Sequence, residues 1–170
     1  HHFFDNRLGG SLHGETKTGL TKFGRATVER MMGFGMIIDV SHSSEATVLD
    51  TLEIAVDSPL IVSHTGFNGH CQSPRNISDE TVKRITGAGG LIGVGFWADV
   101  TCGLNISAIV STIRYGIDRF GLEHIALGSD WDGSITAPID ASQLAYLTQS
   151  MVDMDFSELE IRAVMGGNMA

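Results

Sequence analysis

The spacing of apolar residues changes repeatedly along the chain, and each change marks an element. Between Thr21 and Met32 the residues Phe23, Ala26, Val28, Met31 and Met32 follow helical spacing, and Gly33 and Gly35 then break the pattern. The apolar run at 36–41 predicts a strand. Ser43 and Ser44 are N-cap residues for a helix to about Ala55, and Pro59 opens a second strand, LIVS. Residues 65–77 hold Gly66, Gly69 and Pro74 and predict a loop. Ser78, with Asp79 and Glu80 in the first turn, caps a helix that ends near the glycines 87, 89 and 90. LIGVGFW (91–97) predicts a third strand, Ile106 to Phe120 a helix, and HIALGS (124–129) a fourth strand. A helix at about 141–151 follows, and Ser157 with Glu160 forms a capping box for a last one.

Apolar strands alternating with helices predict successive parallel strands with both faces covered, the α/β class. Doubly wound sheets and (β/α)8 barrels both use this alternation. No GxGxxG or GxxxxGK[ST] follows any strand, which favours the barrel. A full TIM barrel takes about 250 residues, so four strand–helix units make roughly its second half. The chain begins HHFFDN without a methionine and stops at GGNMA inside a helical pattern. The expected organisation is residues 1–170 as the C-terminal part of a single barrel domain, with the N-terminal strands missing.

Composition narrows the possible partners. With 42% hydrophobic and 18% charged residues the chain is an ordinary globular one, and its net charge of −9 without a Lys/Arg cluster argues against nucleic acid and anionic membranes. A small polar or cationic ligand fits better. No apolar run approaches the roughly 20 residues of a transmembrane span, and the first residues are too polar for a signal peptide. The compartment stays open, cytoplasmic by default, with export or anchoring not decided. Cys71 and Cys102 form neither a CxxC motif nor a disulfide framework and are expected to be free thiols.

In such barrels the chemistry sits where strands give way to the following loops. His42 ends the first strand, His64 the second and Asp130 the fourth, whereas His124 begins its strand. Alternation places His42 on the face of Ile38 and Val40, and His64 on the face of Leu60 and Val62. Neighbouring strands lie about 4.8 Å apart, so two imidazoles at their mouths can reach one ion, and neutral imidazole suits zinc. Blander readings stand beside these. A lone strand-end histidine is more often a satisfied polar residue. Asp130 and Asp132 read by pattern alone as turn caps before Gly133, and Arg75 as a solvated loop arginine. His1 and His2 fit a tag remnant, against which the FFDN that follows them speaks. Asp39 and Asp5 receive no role from spacing.

The series HHFFDN, GLTKFGRATVERMMGFGMIIDVSHSS, PLIVSHTG, PRNISDE, GGLIGVGFW, HIALGSDWDG and GGNMA resembles the membrane (renal) dipeptidase family, the zinc-dependent peptidases of family M19, over nearly the whole chain. The resemblance implies a (β/α)8 barrel of the metal-dependent hydrolase type, two zinc ions bridged by a hydroxide and a carboxylate, and hydrolysis of dipeptides. It assigns His42 and His64 to one zinc, Arg75 to the substrate carboxylate and Asp130 to proton transfer beside the substrate. His2, or its neighbour His1, matches the histidine that contacts substrate near the scissile carbonyl. A dipeptide is the expected small-molecule partner, with a homodimer left open.

The chain departs from the family pattern in one respect. The HxD motif and the shared glutamate that complete the two-zinc centre do not precede His2, and no HxD occurs in the 170 residues. Two of five expected metal ligands are present, so this segment alone is expected to be inactive. Rival readings are another metallohydrolase on the same barrel, such as a lactonase or deaminase, and a non-catalytic binding or scaffold relative.

Overall fold

A computed structural model of the chain describes residues 2–56 and 58–170. The strands are β1 (Ile38–Asp39), β2 (Leu60–Thr65), β3 (Leu91–Val94) and β4 (Ile125–Leu127). The helices are α1 (Lys22–Gly33), α2 (Glu45–Ile54), α3 (Asp79–Gly87), α4 (Ala98–Thr101), α5 (Ile106–Phe120), α6 (Leu144–Asp153) and α7 (Glu158–Val164).

The helices begin where side chains can satisfy the free N–H groups of a first turn. Thr21, Ser44, Ser78 and Asn105 accept from the backbone N–H three residues on, at Gly24, Thr47, Thr81 and Ala108. Ser157 and Glu160 form the expected reciprocal box at α7. The strands pair in chain order, β1-β2-β3-β4, all parallel, so each connection must cross over through the helices between them. Among the described residues no helix is long and apolar enough to cross a membrane.

One face of the sheet carries the core. Ile38, Val40, Leu60, Val62, Ile92, Val94 and Ile125 are buried there against Val82, Ile85, Ile109 and Ile113 of α3 and α5. The other face is open in this chain, which corrects the expectation that both are covered: Asp39 is exposed, and Ile61, Ser63 and Leu91 are half-buried. In a closed barrel that face meets strands from across the axis.

Element boundaries shift for local reasons. Only Ile38 and Asp39 of the 36–41 run pair, because β1 has one neighbour, and Met36 and Ile37 stay 48% and 55% exposed. The third strand stops at Val94, and the chain turns at Trp97 into the short α4, which the apolar pattern had hidden within the strand. The helix expected at 141 opens as a single 3-10 turn, Ala141–Gln143, and α6 runs from Leu144 to Asp153.

The cysteines correct the sequence reading. Cys71 and Cys102 form a disulfide, with Cα atoms 5.5 Å apart across a sequence separation of 31. Neither is a free thiol. Cys71 lies in the loop after β2 and Cys102 ends α4 after β3, so the pairing of two adjacent parallel strands brings the loops at their ends together. Spacing along the chain cannot reveal a proximity that depends on strand order.

Candidate active site

At the C-terminal ends of the strands, His42 and His64 leave the alternation that the strands begin. Ile38, Val40, Leu60 and Val62 point into the core, whereas the two imidazoles meet at the mouth, with Nε2 atoms 2.9 Å apart. Two local irregularities turn them. His42 has a φ of 61°, in the left-handed region that non-glycine residues seldom adopt. The β2–β3 register shifts between Val62 and Thr65, the segment that holds His64. Gly93 permits the close strand approach there, since a Cβ at that position would lie 2.1 Å from the Ser63 carbonyl oxygen.

The remaining expected residues converge on the same place. His2, His42, Arg75 and Asp130 line one cavity of about 440 Å³, and His64 meets the lining through its contact with His42. The His2 ring lies 4.4 Å from that of His42; His1 lies outside the described residues. Asp130 Oδ1 stands 3.8 Å from His64 Nε2, and its φ of 61° takes it out of the strand path. Asp132 behaves as a turn cap, accepting from Ser134 N at 2.8 Å, while also bordering the cavity.

Arg75 is only 8% exposed. Its Nη2 donates to the His64 carbonyl at 3.1 Å, and its guanidinium lies over the Trp97 ring, 5.4 Å from the centroid. It has no carboxylate within ion-pair distance among the described residues. A guanidinium held this way has the geometry to take a planar anion such as a carboxylate on its free donors. The disulfide ties together the loops that carry Arg75 and Trp97.

Electrostatics keep the imidazoles neutral. Burial, then the charge of Arg75 and the neighbouring His64, pushes His42 down to about 3. Burial lowers His64 as well, and Asp130 and Asp39 only partly oppose it. Neutral imidazole is the form that binds metal. Two nitrogens about 2.0–2.1 Å from one tetrahedral zinc lie about 3.3 Å apart, so the observed 2.9 Å needs only a small relaxation. Among the described residues His42 Nδ1 is buried without a partner. The donor set therefore fits a metal ion, but among the described residues no three His, Cys, Asp or Glu side chains converge as a cage.

Sequence reasoning missed three contributors. His13 lines the cavity at 5.6 Å between ring centroids from His42. It is held by a strap in which Leu12 N donates to the His42 carbonyl, Ser11 bridges to Ser43, and Asp5 accepts from Ser11 N and Thr16 N. The available signal was the glycine pair before it: a Cβ on Gly10 would lie 2.3 Å from the Thr18 carbonyl oxygen, so only glycine passes there. Trp97 and Asp39 lie in stretches that carry the family resemblance, GGLIGVGFW and MIIDVSHSS, but received no role there. Burial raises the Asp39 carboxyl, but hydrogen bonds from Ser63 and Ser41 outweigh it and hold the group below the usual carboxylate range.

Comparison with known proteins decides the family. The model of the membrane dipeptidase family, peptidase family M19, matches residues 3–170. The chain belongs to the M19 family. Mouse dipeptidase 3 is 31% identical over 175 residues, covering 99% of this chain and 33% of that protein. A dipeptidase of Aspergillus terreus is 34% identical over 142 residues, 79% of this chain and 34% of its own length. A Rhodobacter sphaeroides metallopeptidase, solved with a phosphinate mimic of the dipeptide L-Ala-D-Ala, superposes with a TM-score of 0.83 at 26% identity, over 95% of this chain and 48% of that one. The M19 chain described here thus spans about a third of these curated relatives and about half of the solved one. Its fold is the barrel-type α/β arrangement of these metal-dependent hydrolases, present as part of the whole.

Proposed function

We propose that the protein carrying this M19 segment is a zinc-dependent dipeptidase, and that residues 1–170 supply the C-terminal part of its single barrel domain. The observation that carries the reading is the approach of His42 Nε2 and His64 Nε2 to 2.9 Å, in a pocket shared with the unpaired guanidinium of Arg75. His42 and His64 hold one zinc of a two-zinc site, and the remaining ligands come from strands outside this chain. Zinc, when bound, lowers the pKa of a ligated water toward about 7 and polarises the scissile carbonyl.

The chain's own residues do the rest. Arg75 receives the substrate's free carboxylate, limiting substrates to short peptides with an exposed C-terminus. Asp130, within reach of His64, takes the proton of the attacking water at its carboxylate and passes it to the leaving amine. His2 contacts the substrate near the scissile carbonyl, and Trp97 holds Arg75 in place. The exposed Met36, Ile37, Phe23 and Phe34 along the β1 side support a barrel completed by further strands there.

The test uses the full-length protein, assayed on a hydrophobic dipeptide with zinc determined by atomic absorption. His42→Ala and His64→Ala should each retain one zinc of two and lose turnover, while Arg75→Ala should mainly raise KM. Two zincs retained in both histidine variants would sink the assignment.

A further inference from the structure

The proton on His64 can be placed by counting donors and acceptors. Asp39 sits on the open face of the sheet, across from Ser63 on β2. Its Oδ1 accepts from Ser41 N at 3.0 Å and Ser63 N at 3.1 Å, and its Oδ2 lies 2.6 Å from Ser63 Oγ. A carboxylate only accepts, so the Ser63 hydroxyl proton points at Asp39. Ser63 Oγ also lies 2.8 Å from His64 Nδ1. With its one proton committed to Asp39, the hydroxyl can meet that nitrogen only as acceptor. His64 Nδ1 must then carry the hydrogen, and Nε2 keeps a bare lone pair. The backbone is pinned in the same network: His64 N donates to Ser41 Oγ at 3.2 Å, and Ser41 Oγ lies 3.0 Å from Ser63 Oγ.

We propose that Asp39 and Ser63 are positioning residues, a relay from Asp39 through Ser63 to His64 that sets the tautomer and aim of the His64 ring with Nε2 bare toward the cavity. The inference rests on the reading of His64 as a metal ligand. Such supports fix the orientation and raise the basicity of a ligating imidazole. His42 has none among the described residues, where its Nδ1 is buried without a partner. With His64 Nε2 bare, the 2.9 Å contact makes His42 Nε2 the donor in the metal-free chain. His42 must move its proton to Nδ1 before it can ligate, whereas His64 is ready. The relay makes His64 the preorganised ligand and His42 the one that adapts.

Asp39→Asn gives the sharpest test. The amide oxygen stays where two backbone N–H groups point, so the NH2 replaces Oδ2 and donates to Ser63 Oγ. The hydroxyl proton then turns to His64 Nδ1, and Nε2 takes the hydrogen. In the metal-free full-length protein, long-range 1H–15N spectra, with His64 assigned by its loss in His64→Gln, should read Nδ1–H in the wild type and Nε2–H in Asp39→Asn. Zinc affinity, measured by competition with a chelator, should fall about 10- to 100-fold in Asp39→Asn and in Ser63→Ala, and recover in Ser63→Thr. A wild-type His64 protonated on Nε2 would overturn the relay, as would an Asp39→Asn protein with unchanged tautomer and zinc affinity. If the tautomer flips as stated but the wild type binds no zinc, the relay stands and the metal reading fails.

Discussion

The helix-covered back of the sheet and its mouth belong to the same strands, yet they are built by opposite rules. On the back, Leu60, Val62, Ile92 and Ile125 are aliphatic, in regular strand geometry, and buried against Ile85, Ile109 and Ile113. At the mouth the buried residues include the polar His42 and Arg75, His42 and Asp130 take left-handed backbone conformations, and His42 Nδ1 has no partner among the described residues. The back satisfies itself. The mouth holds a polar atom, His42 Nδ1, without a partner among the described residues, and such unmet groups and unusual φ values gather where a protein binds something. Substitutions should therefore separate the two regions cleanly, the back acting through stability and the mouth through function.

The largest effect expected is at the mouth. On the proposed function, Asp130→Asn in the full-length protein keeps size and shape but cannot take a proton, so turnover should drop about 100- to 10,000-fold with zinc content unchanged. Asp132→Asn, which loses a turn cap, should affect stability slightly and rate little. If Asp132→Asn is the crippled variant, the assignment of the GSDWDG stretch is wrong.

On the back, Ile113→Ala removes a fully buried side chain from α5 and should destabilise by about 2–5 kcal/mol in denaturant unfolding. Turnover per folded molecule should hold, and a lost rate at full folding would erase the distinction between the regions. The disulfide joins the two behaviours. Closing a loop across a separation of 31 contributes about 3–4 kcal/mol in the chain-entropy treatment. A Cys71→Ala and Cys102→Ala double variant should lose about that much, and its KM should rise because the freed loops carry Arg75 and Trp97. An unchanged KM would show that the Arg75–Trp97 stack holds without the crosslink.

The smallest effect is expected away from the cavity, where Arg114 of α5 meets Glu160 of α7. Arg114 Nη1 donates to Glu160 Oε1 at 2.5 Å, and this bond, opposed by burial and helped by Ser157, brings Glu160 down to about 2. A carboxylate lowered on folding stabilises above its unfolded value, near 4.5, and loses that contribution as pH falls toward 2. The stability difference between wild type and Glu160→Gln should therefore be full at pH 7 and shrink between about pH 4.5 and 2, measured by urea unfolding. A difference that is constant with pH would show that Glu160 contributes packing rather than charge.

Much of this could be read along the chain, because it depends on neighbours in sequence. Helix starts at Thr21, Ser44, Ser78 and Ser157 follow from side chains that reach N–H groups three residues on. The run from Ile106 to Phe120 folds as read, since its apolar stripe is long enough to outweigh local exceptions. Strand lengths were harder. Met36 and Ile37 have strand character but no partner to pair with, and Gly95 to Trp97 continue the apolar run after pairing has stopped. The candidate site was half legible: His42, His64 and Asp130 stood out by ending strands and meet in space, whereas Ser63 and Asp39, in the same short stretches, received no role.

By itself the sequence determined the alternation of strands and helices, the parallel class, the family and the residues at the strand ends, since period, capping and motif order are all local properties of the chain. Only the tertiary structure decided which strands lie side by side, and with that the pairing of Cys71 with Cys102, the placing of His13 over the pocket and the stacking of Trp97 on Arg75. It alone also turned His42 and His64 off the core face and set Asp39 against Ser63. Those outcomes depend on strand register and on two backbone irregularities, where a displacement of a few ångströms reassigns every partner, and no periodicity along the chain encodes displacements of that size.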